Sequence, residues 1–112
     1  MSGEALKGHL DLLILAVIAD RPLHGYAVIE ALRERSEGVF DLAEGTVYPA
    51  LHRLEKAGTL SSQWDEVAGR RRRSYRLTDK GVTALSAQHA GWQQFRSAMT
   101  ATLRVTPWPT TI

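Results

Sequence analysis

The chain has 112 residues, enough for one hydrophobic core but not for two, so we expect a single domain. Hydrophobic residues make up 44% and charged residues 23%, which is ordinary for a folded globular protein and argues against disorder. The sequence contains no cysteine, which excludes disulfides and thiolate metal sites and fits a reducing cytosol. Because the net charge is only +2, affinity for an anionic partner must depend on where the basic residues cluster.

The most apolar stretch, residues 10–19, is predicted to form a core helix. It is too short to span a bilayer, and no signal-peptide cleavage pattern follows it, so we expect a cytoplasmic protein with no membrane partner. The helix should end by Ala19, because Pro22 follows shortly and proline disfavours helix in the residue before it. Its buried stripe recurs at helical spacing and comprises Leu6, Leu10, Leu13, Ile14, Val17 and Ile18.

Two further helices are predicted before residue 59. The second begins near Gly25, after a turn at residues 24–26, and Gly38 breaks it. The third covers residues 44–58, EGTVYPALHRLEKAG, and ends at Gly58 in the usual C-terminal position for glycine. Pro49 lies inside this third helix and should bend its first turns. The buried stripe of the third helix is Val47, Leu51 and Leu54.

Alternating residues predict a two-stranded hairpin at residues 60–64 and 73–77, joined by a loop at residues 65–70. Thr78 can then cap a long final helix, with Asp79 adding favourable charge in its first turn. Pro107 and Pro109 end that helix. Its apolar stripe has coiled-coil spacing, with Phe95 beside it, and comprises Val82, Leu85, His89, Trp92, Arg96, Met99 and Leu103.

The order of these elements predicts a mainly α fold with a two-stranded β-hairpin, that is, a winged helix-turn-helix with a long C-terminal helix. We expect the DNA-binding domain at residues 1–78, a dimerisation helix at residues 79–105 and a flexible tail at residues 106–112. A helix-turn-helix reads duplex DNA by laying its second helix, here the third of the chain, in the major groove.

The residues of this reading helix that remain outside the core are candidates for DNA contact: Thr46, Tyr48, Pro49, His52, Arg53 and Lys56. Arg53 or Lys56 could bind guanine or a phosphate, and His52 and Thr46 could serve either role. A solvated basic helix face is the alternative interpretation of the same residues.

The hairpin favours DNA, because four consecutive arginines lie beside a helix-turn-helix. We call Arg70, Arg71, Arg72 and Arg73 the arginine run; their guanidinium groups can bind phosphates bidentately or enter a minor groove. Such a run can also be a solvated charge cluster. We predict that it supplies affinity rather than specificity, and that Tyr75 and Arg76 extend the contact.

Enzyme activity is not expected, and neither is a metal or another cofactor. The histidines at positions 9, 24, 52 and 89 lack the spacing of metal ligands. The sequence shows no catalytic triad, paired-carboxylate motif or glycine-rich phosphate loop.

Three segments together resemble the PadR family of bacterial transcriptional regulators: LHGYAVIEAL, AEGTVYPALHRLEKAGTL and GRRRRSYRLTDKG. The resemblance covers about residues 10–92. It implies a homodimeric winged-helix repressor whose C-terminal helices pack together and present two reading helices to a pseudo-palindromic operator. It further implies that Tyr48 contacts phosphate and that Tyr26 and Thr46 approach DNA. Ala43 departs from the polar residue often found at the start of the reading helix, which puts side-chain capping there in question.

The short C-terminal region resembles the compact branch of the family, which has one dimerisation helix. Some compact members bind flat aromatic molecules between their subunits, where a tryptophan matching Trp92 stacks on the ligand. The resemblance therefore suggests an effector site at Trp92, and His89, Phe95 and Arg96 are near enough on the helix to line it. The predicted dimer interface comprises Leu6, Leu10, Leu85, Trp92, Met99 and Leu103.

Two alternatives stay open at this stage. By its spacing alone, Trp92 is better explained as a buried residue of the dimer seam, and only the resemblance makes a ligand contact an equal alternative. The hairpin and reading helix could also bind an acidic protein surface, which would make the chain a winged-helix protein-interaction module without DNA binding.

Overall fold

Four helices and a small antiparallel sheet make up the computed structural model, which describes residue 3 and residues 6–104. In chain order the elements are α1 (Leu10–Asp20), β1 (Leu23–His24), α2 (Gly25–Arg35), α3 (Glu44–Lys56), β2 (Leu60–Val67), β3 (Arg70–Leu77) and α4 (Asp79–Thr102). The predicted fold class, a mainly helical winged helix with a long C-terminal helix, is confirmed. The tail predicted at residues 106–112 lies outside the described residues.

The first residue of the predicted buried stripe lies outside the first helix. Leu6 belongs to a turn, and α1 begins only at Leu10. The reason is Gly8, which has φ +90° and so cannot continue a right-handed helix. The Leu6 carbonyl still accepts bonds from the amides of His9 and Leu10, and the Leu6 side chain is buried in the core.

The sheet has three strands in the order β1, β3, β2, not the two that were predicted. His24, which was assigned to a turn, forms β1 together with Leu23, and the two residues pair with Ser74 and Tyr75 of β3. Two residues are too few to show an alternating pattern in the sequence. The strand is recognised only in the tertiary structure, where it pairs with the edge of β3 that β2 does not cover.

The turn of the hairpin is shorter than predicted. Instead of a loop at residues 65–70, β2 continues to Val67 and β3 starts at Arg70. Ala68 and Gly69 form the turn, and both have positive φ, as a tight two-residue hairpin connection requires. The arginine run therefore lies entirely on β3, where successive side chains point to opposite faces.

The core lies between the first three helices and the inner face of the sheet. Its fully buried large side chains are Ile14, Leu15, Ile18, Val28, Val47, Leu51 and Leu60. α3 is continuous through Pro49. Ala43 at its N-terminus provides no side-chain cap, and its carbonyl accepts from the amides of Thr46 and Val47.

A polar joint connects the C-terminal end of α3 to the start of α4. Gly58 ends α3 with φ +86°. Thr78 caps α4 as predicted: its hydroxyl accepts from the Gly81 amide at 3.0 Å and donates to the Gly58 carbonyl. The Lys80 ammonium donates to the Ala57 carbonyl at 2.7 Å. These contacts fix α3 relative to the long helix.

α4 extends away from this body. Its only buried residue is Gly81, and every residue from 86 to 102 is exposed. Large apolar side chains remain accessible along it, namely Val82, Trp92, Phe95 and Met99, followed by Leu103 just past its end. Within the described residues, no helix combines the length and apolarity needed to span a membrane.

Candidate nucleic-acid interface

α3 presents a polar face on the side opposite Val47, Ala50, Leu51 and Leu54, which are buried. Pro49, His52 and Lys56 are exposed, while Thr46 and Tyr48 are half-buried near the start of the helix. The spacing of the buried residues thus leaves the predicted candidates on accessible positions.

Tyr48 packs closely against the start of α2. A Cβ atom on Gly25 would lie 2.8 Å from Cε1 of the Tyr48 ring, so glycine at this position makes room for the ring. Partial burial raises the pKa of the Tyr48 hydroxyl, and the nearby Glu44 carboxylate raises it further. The phenol therefore stays neutral and can donate a hydrogen bond.

Arg53 is already paired in the structure. Its guanidinium donates two hydrogen bonds to the Asp11 carboxylate of α1, at 2.9 and 2.7 Å. These bonds raise the pKa of Arg53. Asp11 was not predicted to take part, because a lone acidic residue in an apolar run carries no pairing signal.

The hairpin joins α3 through a second polar network. The Ser62 hydroxyl donates to the Glu55 carboxylate of α3, and Arg73 donates to the Ser62 hydroxyl at 2.7 Å. Arg73 also lies 3.5 Å from Glu55. Arg73 therefore links the hairpin to the reading helix.

The members of the arginine run differ in their surroundings. Arg71 and Arg73 share a face with Trp64, which is opposite Arg73 on β2. Arg70 and Arg72 project from the other face, are exposed, and make no side-chain ion pair with any residue in the described part of the chain. The same face carries Arg76, which donates to the Ser61 hydroxyl at 3.0 Å.

Tyr75 corrects one prediction. It was expected to extend the DNA contact, but its side chain is only 4% exposed and belongs to the core. Burial raises the pKa of its hydroxyl. The hairpin's inner face near the body is needed for packing, so Tyr75 has almost no surface to offer DNA.

An apolar groove of about 900 Å³ runs between α1 and α4. The predicted effector residues His89, Trp92 and Phe95 line it, but Arg96 does not and faces a separate polar surface with Gln93 and Thr100. Arg96 is three to four residues from its neighbours in the stripe, so spacing alone could not exclude it.

His9 is a groove residue that sequence reasoning missed. Its ring lies 5.5 Å from Trp92, edge-on, and 6.1 Å from Phe95. Trp92 and Phe95 are themselves 5.9 Å apart. Such distances are typical of interacting aromatic pairs. Because His9 precedes α1 by one residue, only the docking of α4 on α1 brings the three rings together.

The predicted dimer residues differ in how exposed they are in the single chain. Trp92, Met99 and Leu103 are exposed on or at the end of α4, and Leu85 is half-buried on the same helix. Leu10 is half-buried against the core. Leu6 corrects the prediction, since its side chain is buried within the subunit and is not free to pack on a partner.

These features define a class of protein. Three helices, a hairpin bearing arginines and a polar third helix form the winged-helix arrangement found in DNA-binding proteins. Between residues 6 and 104, no cluster of three histidine, aspartate or glutamate side chains suited to a metal ion is found.

Comparison with known proteins assigns the family. The family model for the transcriptional regulator PadR-like family matches residues 14–87, and the chain belongs to this family. The transcriptional regulator Rv3488 of Mycobacterium tuberculosis is 41% identical over 83 residues, covering 74% of this chain and 75% of that protein.

Solved structures agree with this assignment. A transcriptional regulator from Clostridium thermocellum superposes with a TM-score of 0.83 at 25% identity, covering 90% of this chain and 99% of the other. A PadR family regulator from Eggerthella lenta gives a TM-score of 0.79 at 30% identity, covering 91% and 88%.

Proposed function

We propose that this regulator is a homodimeric repressor that binds a pseudo-palindromic operator and releases it when a planar aromatic molecule binds near the dimer seam. The observation that carries the proposal is the junction of an exposed polar face on α3 with a hairpin whose outer half bears the arginine run. In this proposal the protein acts in the cytoplasm and has no catalytic role.

The α3 face is suited to the major groove, because a helix with its side chains has about the width of that groove. His52 and Lys56 are exposed and form no hydrogen bond or ion pair with another side chain in the described part of the chain, so they are the base-reading candidates. Tyr26, Thr46 and Tyr48 lie at or near the starts of α2 and α3, where they would bind phosphates. Arg53 would have to leave Asp11 before it could contact DNA.

The arginine run would hold the DNA backbone beside the reading helix. Arg70 and Arg72 are the members whose guanidinium groups have no partner among the residues that the structure describes, so we assign the phosphate contacts first to them. Each phosphate neutralised by a basic side chain releases counterions and steepens the salt dependence of binding by about 0.9 on a log–log scale.

Dimerisation would cover the apolar stripe of α4. Trp92, Met99 and Leu103 are exposed in the single chain, and an isologous helix pair would bury them against their symmetry mates. Two reading helices about 34 Å apart would then fit successive major grooves on one side of the duplex.

The groove between α1 and α4 would receive the effector. Its volume of about 900 Å³ lies within the range of small-molecule sites, and most of its lining is apolar. Trp92 and Phe95 offer ring faces for stacking. In the dimer Trp92 can serve both as a seam residue and as a ligand contact.

The effector would act by changing the spacing of the two reading helices. A ligand shifts this equilibrium only if it binds the DNA-incompetent arrangement more tightly, and such couplings are typically about 1–3 kcal/mol. The joint formed by Thr78 and Gly58 would transmit a movement of α4 to α3.

The first experiment measures binding to duplex DNA from upstream of the gene itself, by fluorescence anisotropy over a range of salt concentrations. We expect Arg70→Ala/Arg72→Ala to weaken binding to all sequences and to flatten the log–log salt slope by up to about two units. Lys56→Ala is the control in the reading helix, and it should change the preference among sequences.

Two results would contradict the DNA proposal. A flat salt response of the wild type would exclude a phosphate clamp. Failure to bind any duplex, with retained binding to an acidic protein, would support the protein-interaction module instead.

The second experiment tests the effector site with planar cationic dyes and phenolic acids. The protein has three tryptophans, so Trp64→Phe/Trp108→Phe leaves Trp92 as the only one and assigns the fluorescence signal to it. We expect the fluorescence of Trp92 to be quenched when the added molecule binds. We also expect Trp92→Ala to bind that molecule more weakly than the wild type, as measured by calorimetry. Equal binding by wild type and Trp92→Ala would exclude Trp92 as the stacking residue.

A further inference from the structure

The tryptophan on the hairpin has no role in the fold that would explain its position. Trp64 is 56% exposed and lies on the outer half of β2, beyond the core residues Leu60 and Tyr75. A large exposed aromatic side chain at this point gains little from burial, so its neighbours must account for it.

Those neighbours are two members of the arginine run. The guanidinium carbon of Arg71 lies 4.9 Å from the centre of the Trp64 ring, and that of Arg73 lies 5.6 Å from it. Both distances are within the range of cation–π attraction, for which the indole ring is the best partner among aromatic side chains. Trp64 therefore lies close to two positive charges.

The two arginines depend on Trp64 to different degrees. Arg73 is also held by Ser62 at 2.7 Å and by Glu55 at 3.5 Å. Arg71 has no hydrogen bond or ion pair from its side chain to any other residue that the structure describes, although Glu66 lies across from it on β2. Among the described residues, the indole ring is therefore the recorded partner of the Arg71 guanidinium.

We infer that Trp64 is a positioning residue for DNA binding, because it orders the Arg71 side chain before the backbone phosphate arrives. The inference rests on the proposed binding of DNA by this hairpin. An arginine with free rotamers loses side-chain entropy when it binds, whereas a stacked one has already lost part of it. The stack leaves the edge of the guanidinium, with its N–H donors, open to phosphate oxygens.

The test is a double-mutant cycle on operator affinity, measured by fluorescence anisotropy with DNA from upstream of the gene. Trp64→Ala leaves the net charge unchanged, and we expect it to weaken binding about two- to fivefold, because the Arg71 side chain would then lose its rotamer freedom only on binding. Trp64→Phe should recover part of this loss. In an Arg71→Ala background, Trp64→Ala should have no further effect.

Arg70→Ala supplies the matched control, because Arg70 is on the opposite face of the same strand. In that background Trp64→Ala should cause its full two- to fivefold loss again, since the two side chains do not share a partner. Circular dichroism and thermal unfolding of Trp64→Ala should match the wild type, because the ring is mostly exposed.

The possible failures can be told apart. If the wild type binds no duplex DNA, both the proposed function and this inference are overturned. If the wild type binds and Trp64→Ala binds equally well, only the role of Trp64 is overturned. An equal loss in the wild-type and Arg71→Ala backgrounds would also overturn it, because Trp64 would then act without Arg71.

Discussion

α1 and α4 both carry apolar residues at helical spacing, yet they end in opposite surroundings. In α1 the residues Ile14, Leu15, Val17 and Ile18 are buried within the subunit. In α4 only Gly81 is buried, while Trp92, Phe95 and Met99 remain exposed. The same periodicity thus occurs in one helix whose apolar residues are covered within the subunit and in another whose apolar residues are left accessible.

The difference follows from what each helix packs against. α1 is in contact with α2, α3, the sheet and part of α4, so water is excluded from most of its circumference. α4 is held mainly at its start, by Thr78, Lys80 and Gly81, and all of its residues from 86 to 102 are exposed. About 25 cal/mol of stabilisation per Å² of apolar surface is therefore still to be gained along α4.

The largest expected effect comes from truncating a core leucine. Leu51 is 0% exposed, and Leu51→Ala should lower the free energy of unfolding by about 2–5 kcal/mol through lost burial and the cavity left behind. Urea unfolding measures it, and the loss should be the same at every protein concentration.

Leu103→Ala is the matched control, because it removes the same atoms from a residue that is 47% exposed in the single chain. We expect its effect on stability to depend on protein concentration, since Leu103 would be buried in the proposed dimer. A large loss independent of concentration would contradict the distinction between the two helices.

Two glycines of α4 distinguish its anchored end from its free part. A Cβ on Gly81 would lie 2.1 Å from the Thr59 carbonyl oxygen, so Gly81→Ala must displace the start of the helix. We expect a loss of about 1–3 kcal/mol in unfolding free energy, as for other overpacked sites.

Gly91→Ala provides the opposite case, because nothing lies within 4 Å of a Cβ there. Replacing glycine by alanine within a helix should stabilise the protein by up to about 1 kcal/mol. A destabilised Gly91→Ala would indicate that this part of α4 is closely covered by another chain. Thermal unfolding compares both variants.

The Thr78 cap should have an intermediate effect. Thr78→Val removes the hydroxyl that accepts from the Gly81 amide and donates to the Gly58 carbonyl. We expect the free energy of unfolding to fall by about 1 kcal/mol. Thr83→Val, on an exposed turn of the same helix, should stay within about 0.5 kcal/mol of wild type. Equal effects would mean that the cap does not anchor α4.

The smallest effect concerns alkaline pH. Burial raises the pKa of Tyr75, so the folded state keeps its proton at a pH where the unfolded chain has released it. This contribution to stability is complete below the unfolded pKa, about 10, and is lost as pH rises through the higher folded value. Stability should therefore fall above about pH 10.

Tyr75→Phe should remove part of this alkaline loss, as followed by urea unfolding between pH 8 and about 11. Tyr26→Phe changes an exposed ring instead and serves as the comparison. An unchanged pH dependence in Tyr75→Phe would show that other groups cause the loss.

Much of the fold was predictable, because local signals agreed with the final structure. The buried stripe Val47, Leu51 and Leu54, the stop at Gly58 and the cap at Thr78 all depend on neighbours within a few residues in sequence. Strand β1 and the tight turn at Ala68 were missed for the opposite reason. Both are set by pairing with β3, which connects residues far apart in the chain.

The candidate site divides in the same way. The arginine run and the polar positions of α3 follow from the residue types and from the periodicity of the apolar residues. The sequence alone therefore determined where basic groups would lie, and it determined that a winged helix would carry them. Only the tertiary structure decided their different states: Asp11 holds Arg53, Glu55 holds Arg73, Trp64 stacks on Arg71, and Tyr75 is buried. The physical reason is that charge and period are properties of single residues and their near neighbours, whereas pairing and burial depend on which distant segments meet.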